Sequence, residues 1–322
     1  MRPLVTIGIP TYNRAASTLG ESLRSALAQT YPKIEVLVSD NASSDDTPHF
    51  VEAFRNPRLR YFRHETGMGP NNNFNFLVEQ TRGAYYLMLH DDDVLDPDMI
   101  ATCMDAARDA TGYGIIRSGT RLIDAEGRLL SEWPNGAAGL GTPEFFRAWF
   151  AGDTTLYLCS TIFNTAHLRA MGGFHSPRNL FQDVVAAFYL AAHHGRLDVR
   201  EVKASFRVHT NILYSRARIR DWCDDSLYLL DTMCGLVPED AALRAEGTRY
   251  LCHKMYTYTS RLPSLIERLL TYRKIARRFG HVYSPAAFLW GRHVRPRLAG
   301  AGRRLRRLLP ARTQTRGILR ER

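Results

Sequence analysis

Three carboxylates, Asp91, Asp92 and Asp93, stand side by side at the end of the apolar run Leu87-Met88-Leu89. If all three are ionised and partly buried they repel one another, and a bound cation relieves that repulsion. Hard divalent ions such as Mg²⁺ and Mn²⁺ take oxygen ligands, commonly one or two carboxylates plus the phosphates of a substrate. Side chains alternate along a strand, so Asp91 and Asp93 are expected to face one way and Asp92 the other. The competing reading is a solvated acidic turn in which Asp93 or Asp96 caps a helix before Pro97. On the triplet alone the two readings stand even. Three further polar stretches share its setting after an apolar run: PTYNR (10–14), DNASSD (40–45) and GMGPNNN (67–73).

The elements that position these stretches read as strands and helices in alternation. LVTIGI (4–9), IEVLVSD (34–40), LRYFRH (59–64) and AYYLMLH (84–90) have buried-strand patterns. Helices are expected between them, the first opened by Thr18-Leu19-Gly20-Glu21, which has the form of a capping box. Such alternation implies a parallel sheet with helices on both faces. Ligands of open α/β sheets bind beyond the carboxyl ends of the strands, so the four polar loops should converge on one rim. Past Pro97 the pattern predicts a helix over 98–107, a strand pair over 113–133 turning at Asp124–Gly127, a strand over 156–163, a helix over 184–193 and a strand over 199–208. From Ile219 onward the periodicity is helical, through Leu265, Ile266, Leu269 and Leu270.

Charge is unevenly distributed. The chain of 322 residues is at +11, yet residues 273–322 hold 15 of the 43 Lys/Arg and one of the 32 Asp/Glu, so the first 272 residues are at −3 and the last fifty at +14. A basic tail on a near-neutral body points to an anionic surface touched by the tail. Within it, Leu305, Leu308 and Leu309 fall on one side of a potential helix and Arg303, Arg304, Arg306 and Arg307 largely on the other, a pattern suited to an anionic membrane surface through residues 284–322. An acidic rim disfavours nucleic-acid binding by the body. Five dispersed cysteines with no C-x-x-C pair read as thiols of a reducing compartment. With no signal-peptide pattern at the N-terminus and no run of about 18 apolar residues, a cytoplasmic protein is expected, peripheral to a membrane if the tail docks there.

Taken in order, PTYNR, the Asp closing the second strand, the Gly/Asn loop before a helix and the DDD before Pro97 resemble the family 2 glycosyltransferases, inverting enzymes of the GT-A fold. The resemblance is specific over residues 1 to about 105 and weaker to about 210. It implies an α/β, Rossmann-like, mostly parallel sheet flanked by helices, with a catalytic domain over 1–215 (a nucleotide-sugar half at 1–105, an acceptor half at 106–215), a helical extension at 216–283 and the basic tail. It implies a nucleotide-sugar donor, UDP- or dTDP-linked, a glycan or glycolipid acceptor, and Mn²⁺ or Mg²⁺. By position, Pro10, Thr11, Tyr12, Asn13, Arg14, Asp40, Asn41 and Asp91 would bind the nucleotide, with Asp40 accepting from the base. Gly69, Asn73 and Asp92 would meet the sugar, and Asp92, Asp93 and His209 the metal. Asp183, after Gly172-Gly173-Phe174, would be the catalytic base, with Gln182 where an acid is commoner; its other reading is a helix cap. His90 stands where the family often has Asp, which leaves open the carboxylates that hold the ion and gives His90 itself a supporting role. A nucleotidyltransferase shares the acidic site, but it would need a Gly-rich basic loop after the first strand, and PTYNR has one Arg and no glycine.

Overall fold

Every residue of β1 (Val5–Thr11) and β2 (Ile34–Asp40) is buried, as central strands covered on both faces must be. The computed structural model describes residues 2–15, 17–108, 112–208 and 216–294. Around these strands α1 (Leu19–Leu27), α2 (Thr47–Glu52), β3 (Leu59–Arg63), α3 (Pro70–Gln80) and β4 (Tyr85–Met88) complete the expected alternation. β1 pairs in parallel with β2 and β4, and β2 with β3. Val5, Ile7 and Ile9 meet Leu19 and Leu23 of α1 in one apolar core.

Beyond β4 the sheet is mixed. A two-residue β5 (Val94–Leu95) precedes α4 (Met99–Ala106), β6 (Ile115–Ile123), β7 (Leu129–Trp133), α5 (Thr142–Ala151), β8 (Thr161–Asn164), α6 (Thr165–Ala170), α7 (Gln182–His194) and β9 (Arg196–Arg207). The strand order is β3-β2-β1-β4-β8-β6-β9-β5, with β7 on β6. β8 runs antiparallel to β4 and β6, whereas β6 and β9 are parallel. β6 and β7 are the expected hairpin, since a short turn can join only antiparallel neighbours. The strand expected over 156–163 is shortened: Leu158–Ser160 is a 3₁₀ turn leading into β8. Between β6 and β9 lies the buried Arg117, whose guanidinium reaches Asp198 at 2.6 Å and lies 4.6 Å from the Phe145 ring centre.

The capping box does not form. Thr18 makes no side-chain cap to α1; its hydroxyl donates instead to the Asp91 carbonyl at 2.8 Å, and Ser22 Oγ donates to the Asp93 carbonyl at 2.6 Å. Glu21 pairs with Arg207, the last residue of β9. Buried carbonyls of the acidic turn need donors more than the helix start does, because its own amides already reach the Thr18 carbonyl. Arg207 supplies most of the rest. Its Nε donates to the Asp92 carbonyl at 2.7 Å, its Nη1 to the carbonyls of Asp124 and Ala125 at 3.1 Å each, and its backbone N–H to Asp93 Oδ1 at 2.9 Å.

Helices α8 (Arg216–Leu236), α9 (Ala241–Thr259), α10 (Leu265–Arg278) and α11 (Pro285–Leu289) follow. The chain forms two compact units, Met1–Leu251 and a second that begins at Cys252, so α8 and the first part of α9 belong with the sheet. In the second unit Tyr256, Tyr272 and Phe288 stack edge-on or tilted, and the Tyr256 hydroxyl donates to the Tyr283 carbonyl at 2.7 Å. Among the described residues no helix is long and apolar enough to cross a membrane. His209 and the leucine–arginine pattern around residue 305 lie outside the described residues.

Arg207→Gln removes the guanidinium from the carbonyls of Asp92, Asp124 and Ala125 and from Glu21, and it is expected to cost about 2–4 kcal/mol of stability. Arg207→Lys, which keeps the charge but lacks the planar fork, should recover less than half of that. The shift of the urea midpoint at constant m-value measures both; an unchanged midpoint for Arg207→Gln removes the clamp from the account.

Candidate functional site

The four loops meet beyond the carboxyl ends of β1, β2 and β4 around an open cleft of about 340 Å³. Pro10, Thr11, Tyr12 and Arg14 form one wall, Asn41 another, and Pro70, Asn73 and Phe74 of α3 face His90, Asp91 and Asp92. Asn13 plays a different part. It takes a left-handed φ of 55°, its N–H donates to Ser43 Oγ at 2.9 Å, and its side-chain oxygen accepts from the Ser44 N–H at 2.8 Å. Thr47 Oγ1 accepts from the Arg14 N–H at 3.1 Å, so the first loop is stapled to the second.

Asp40 is fully buried and committed to the chain. One carboxylate oxygen accepts from the Tyr61 hydroxyl at 2.7 Å and the other from the Ser43 N–H at 2.8 Å. Burial and this bond push the Tyr61 hydroxyl pKa up. The two Asp40 oxygens keep further acceptor capacity, but the side chain is enclosed, and in this conformation the neighbouring Asn41 is the residue on the cleft wall. Asn73 is similarly engaged, its amide oxygen accepting from Ser39 Oγ and its Nδ2 donating to the Ser39 carbonyl at 3.0 Å. Gly69, at φ 84°, stands at the start of α3, and a Cβ there would meet nothing within 4 Å.

The acidic turn is not solvated: Asp91 is 9% and Asp93 1% exposed. The three carboxylates point to different partners. Asp91 accepts from Thr11 Oγ1 at 2.7 Å and lies 3.7 Å from Arg14 Nε. Burial raises its pKa, against the pull of Thr11 and Arg14. Asp93 faces the Cys159 thiol, and burial pushes its carboxyl up to about 7. Asp92 is half-buried on the cleft wall. His90, Asp92 and Asp93 each offer a ligand atom within 4.8 Å of the others', and His90 Nε2 is buried without a hydrogen-bond partner. An orphaned imidazole nitrogen beside two carboxylates fits a divalent ion of the Mn²⁺ type, which accepts both nitrogen and oxygen. The structure thus adds His90, read from sequence as a support, to the candidate ligands.

Asp183 lies in the first turn of α7 and lines a small separate pocket with Leu156, Tyr157, Leu158, Thr161, Phe163 and Ala187. The 3₁₀ turn joins that pocket to the acidic turn, since Cys159 follows Tyr157 and Leu158 and faces Asp93. Two features of the approach to Asp183 carry no sequence motif. Asp225 of α8, fully buried, accepts from Ser176 Oγ at 2.6 Å, from the N–H groups of Arg178 and Leu180 at 2.7 Å each and from that of Phe181 at 3.3 Å. Asn75 of α3 clasps the Gly-Gly-Phe turn, accepting from the Phe174 N–H at 2.8 Å and donating to its carbonyl at 3.1 Å. Any Cβ on Gly173 would lie 2.4 Å from the Asn75 side-chain oxygen, which is why glycine sits there.

The sequence matches the family model described as glycosyl transferase family 2 over residues 6–137. It is 34% identical over 137 residues to chondroitin synthase of Escherichia coli, a stretch covering 41% of this chain and 20% of that protein. It is 31% identical over 158 residues to the GalNAc(5)-diNAcBac-PP-undecaprenol beta-1,3-glucosyltransferase of Campylobacter jejuni, 47% of this chain and 50% of that one. The matched stretches therefore span half or less of these relatives' length. In fold, the chain resembles S. aureus TarS 1–349, with a TM-score of 0.65 at 18% identity over 88% of this chain and 82% of that one. It also resembles the mannosyltransferase PcManGT of Pyrobaculum calidifontis in complex with GDP-Man and Mn²⁺, with a TM-score of 0.55 at 18% identity over 90% and 86%. The fold is similar to that of GT-A glycosyltransferase structures, and residues 6–137 resemble glycosyl transferase family 2.

Proposed function

We propose that the protein is a metal-dependent, inverting glycosyltransferase that moves a sugar from a nucleoside diphosphate donor, UDP- or dTDP-linked, to a hydroxyl of a glycan or lipid-linked acceptor in cell-surface polysaccharide assembly. The observation that carries the reading is the single cleft in which Thr11, Tyr12, Arg14 and Asn41 face His90, Asp91 and Asp92. TarS has been solved in complex with UDP-GlcNAc, which supports a nucleotide-sugar donor, and the E. coli and C. jejuni relatives are named as a chondroitin synthase and a glucosyltransferase acting on an undecaprenol-linked glycan, which supports the acceptor class.

In this reading Tyr12, 55% exposed, offers its ring to the base. Arg14 and the Asp91–Thr11 pair border the ribose and diphosphate, with Pro10, Asn13, Asp40 and Asn41 shaping the base end. Gly69, Asn73 and Asp92 border the sugar. Asp92, Asp93 and His90, with His209 as the resemblance implies, would hold the metal. A divalent cation there neutralises charge on the departing nucleoside diphosphate. Asp183 takes the proton of the acceptor hydroxyl as that oxygen attacks the anomeric carbon from the face opposite the leaving group, which inverts the configuration. We also place the protein at the cytoplasmic face of a membrane, held there in part by residues 284–322.

Asp92→Asn is expected to weaken Mn²⁺-dependent nucleotide-sugar binding by about 10–100-fold, as read by calorimetry. EDTA should mimic that loss in the parent protein, and added Mn²⁺ should reverse it. Asp183→Asn should lower transfer by at least roughly 100-fold while sparing donor binding. Normal transfer by Asp183→Asn sinks the base assignment, and nucleotide-sugar binding indifferent to Mn²⁺ and EDTA sinks the metal.

A further inference from the structure

Helix α10 carries the largest exposed aliphatic side chains of the described residues in one place: Leu265 and Ile266 are 67% and 71% exposed, Leu269 and Leu270 48% and 45%. Its neighbouring side is well used, with Thr271, Tyr272, Ile275 and Ala276 buried. The fold of the second unit therefore does not need the four aliphatics, and their exposure is not the residue of a poorly packed helix. Spaced at 100° per residue, they span an arc of about 140°, within which the exposed Arg273 and Arg277 follow toward the C-terminus, with the exposed Lys274 just beyond its edge. The segregation runs along the helix axis: about two turns of aliphatic surface, then about two turns of cationic surface. Over the whole helix there are five Lys/Arg and one acid, Glu267.

We propose that this arc is a docking surface for an anionic lipid bilayer. A rise of 1.5 Å per residue makes the aliphatic part roughly 8 Å long, comparable to the 5–10 Å to which interfacial helices bury their apolar side chains. With that end among the acyl chains, Arg273, Lys274 and Arg277 come to the level of the phosphates, and their own methylene stems lie along the boundary. The same unit exposes Trp290, 58%, a residue favoured at lipid interfaces. Other occupants fit the charge less well. A second copy docked by two-fold symmetry would pair the aliphatic halves but give Arg273, Lys274 and Arg277 no anionic partner, and a nucleic acid would leave four aliphatics in water. The proposal deepens the membrane part of the reading above by naming its surface, and it is independent of the sugar chemistry in the cleft.

The test is flotation of the full chain with vesicles of phosphatidylcholine alone or mixed with phosphatidylglycerol. The parent should float with the mixed vesicles and stay behind with the neutral ones. L265S/I266S/L269S/L270S should lower partitioning by roughly 100-fold, and R273Q/K274Q/R277Q by about 10–100-fold at low salt, each with unchanged thermal unfolding and unchanged Mn²⁺-dependent nucleotide binding. Should the quadruple variant fail to accumulate, I266S/L269S reads the same loss in part. R303Q/R304Q/R306Q/R307Q separates the tail: if that variant alone loses binding while the serine variant keeps it, the tail holds the membrane and the α10 proposal is overturned. Full partitioning by both variants overturns the face and the tail together. Concentration-dependent self-association of the parent that the serine variant abolishes, without vesicle binding, assigns the arc to a second copy and also overturns it.

Discussion

The electrostatic problem of the acidic turn organises this structure. Three consecutive carboxylates at the end of β4, two of them almost fully buried, are costly to hold in one place. The fold offsets that cost by separating them and by donating to every nearby carbonyl it can reach. Thr11 and Arg14 draw Asp91 toward the first loop, the Arg207 N–H and the Cys159 thiol hold Asp93 below, and Asp92 is left at the cleft. Thr18, Ser22 and the Arg207 guanidinium then fix the turn's backbone. Just downstream, Arg121 grips Asp96 with two bonds of 2.8 and 2.9 Å, and Lys203 reaches Asp98 at 2.6 Å. A turn so restrained holds the candidate ligand atoms of His90, Asp92 and Asp93 within 4.8 Å of one another, so a cation bound there, as proposed, would meet a site already ordered by folding.

The same logic explains why so many expected ligand residues turn out to bond the chain itself. Asn13, Asp40 and Asn73 are polar groups at strand ends, where backbone N–H and C=O groups lose their ladder partners. Asn13 joins the first loop to the second, Asp40 ties β3 to the turn after β2, and Asn73 ties α3 to β2. The cleft wall itself carries the exposed Tyr12 and the half-buried Asp92. A rim built this way holds its loops to one another instead of to bulk water.

How much of this was legible in the sequence follows the range of the interactions. The strands β1, β2 and β4 show as continuous apolar runs because both their faces are buried, and the loops after them are recognisable by local composition. The capping box at Thr18 and Glu21 misleads because it is a local signal, and the tertiary demand of the acidic turn overrides it. Arg207 is 114 residues from Asp93 and Asp225 about 45 from the loop it holds, and neither partnership leaves a spacing pattern. His90 is a candidate of another kind: its nitrogen becomes notable only once the fold is seen to bury it without a hydrogen-bond partner. β5 and the 3₁₀ turn are too short to leave a period.

The two walls of the proposed reaction are built on different supports. The donor side rests on short parallel strands and on staples between neighbouring loops, all within the first hundred residues. Asp183, by contrast, depends on α7, on the stretch before it that Asp225 gathers from α8, and on the Gly-Gly-Phe turn clasped by Asn75. Asn75 sits on α3, the helix whose first turns line the cleft. The route from the donor cleft to the proposed base thus passes through one rigid helix, and the 3₁₀ turn at Leu158–Ser160 provides a second route under the acidic turn. Two independent tethers between these walls fix their separation more tightly than either would alone, and in-line attack on an anomeric carbon depends on that separation because misplacement by about 1 Å can cost 100-fold in rate. Variation in acceptor can then be carried by residues outside these tethers without disturbing the donor cleft.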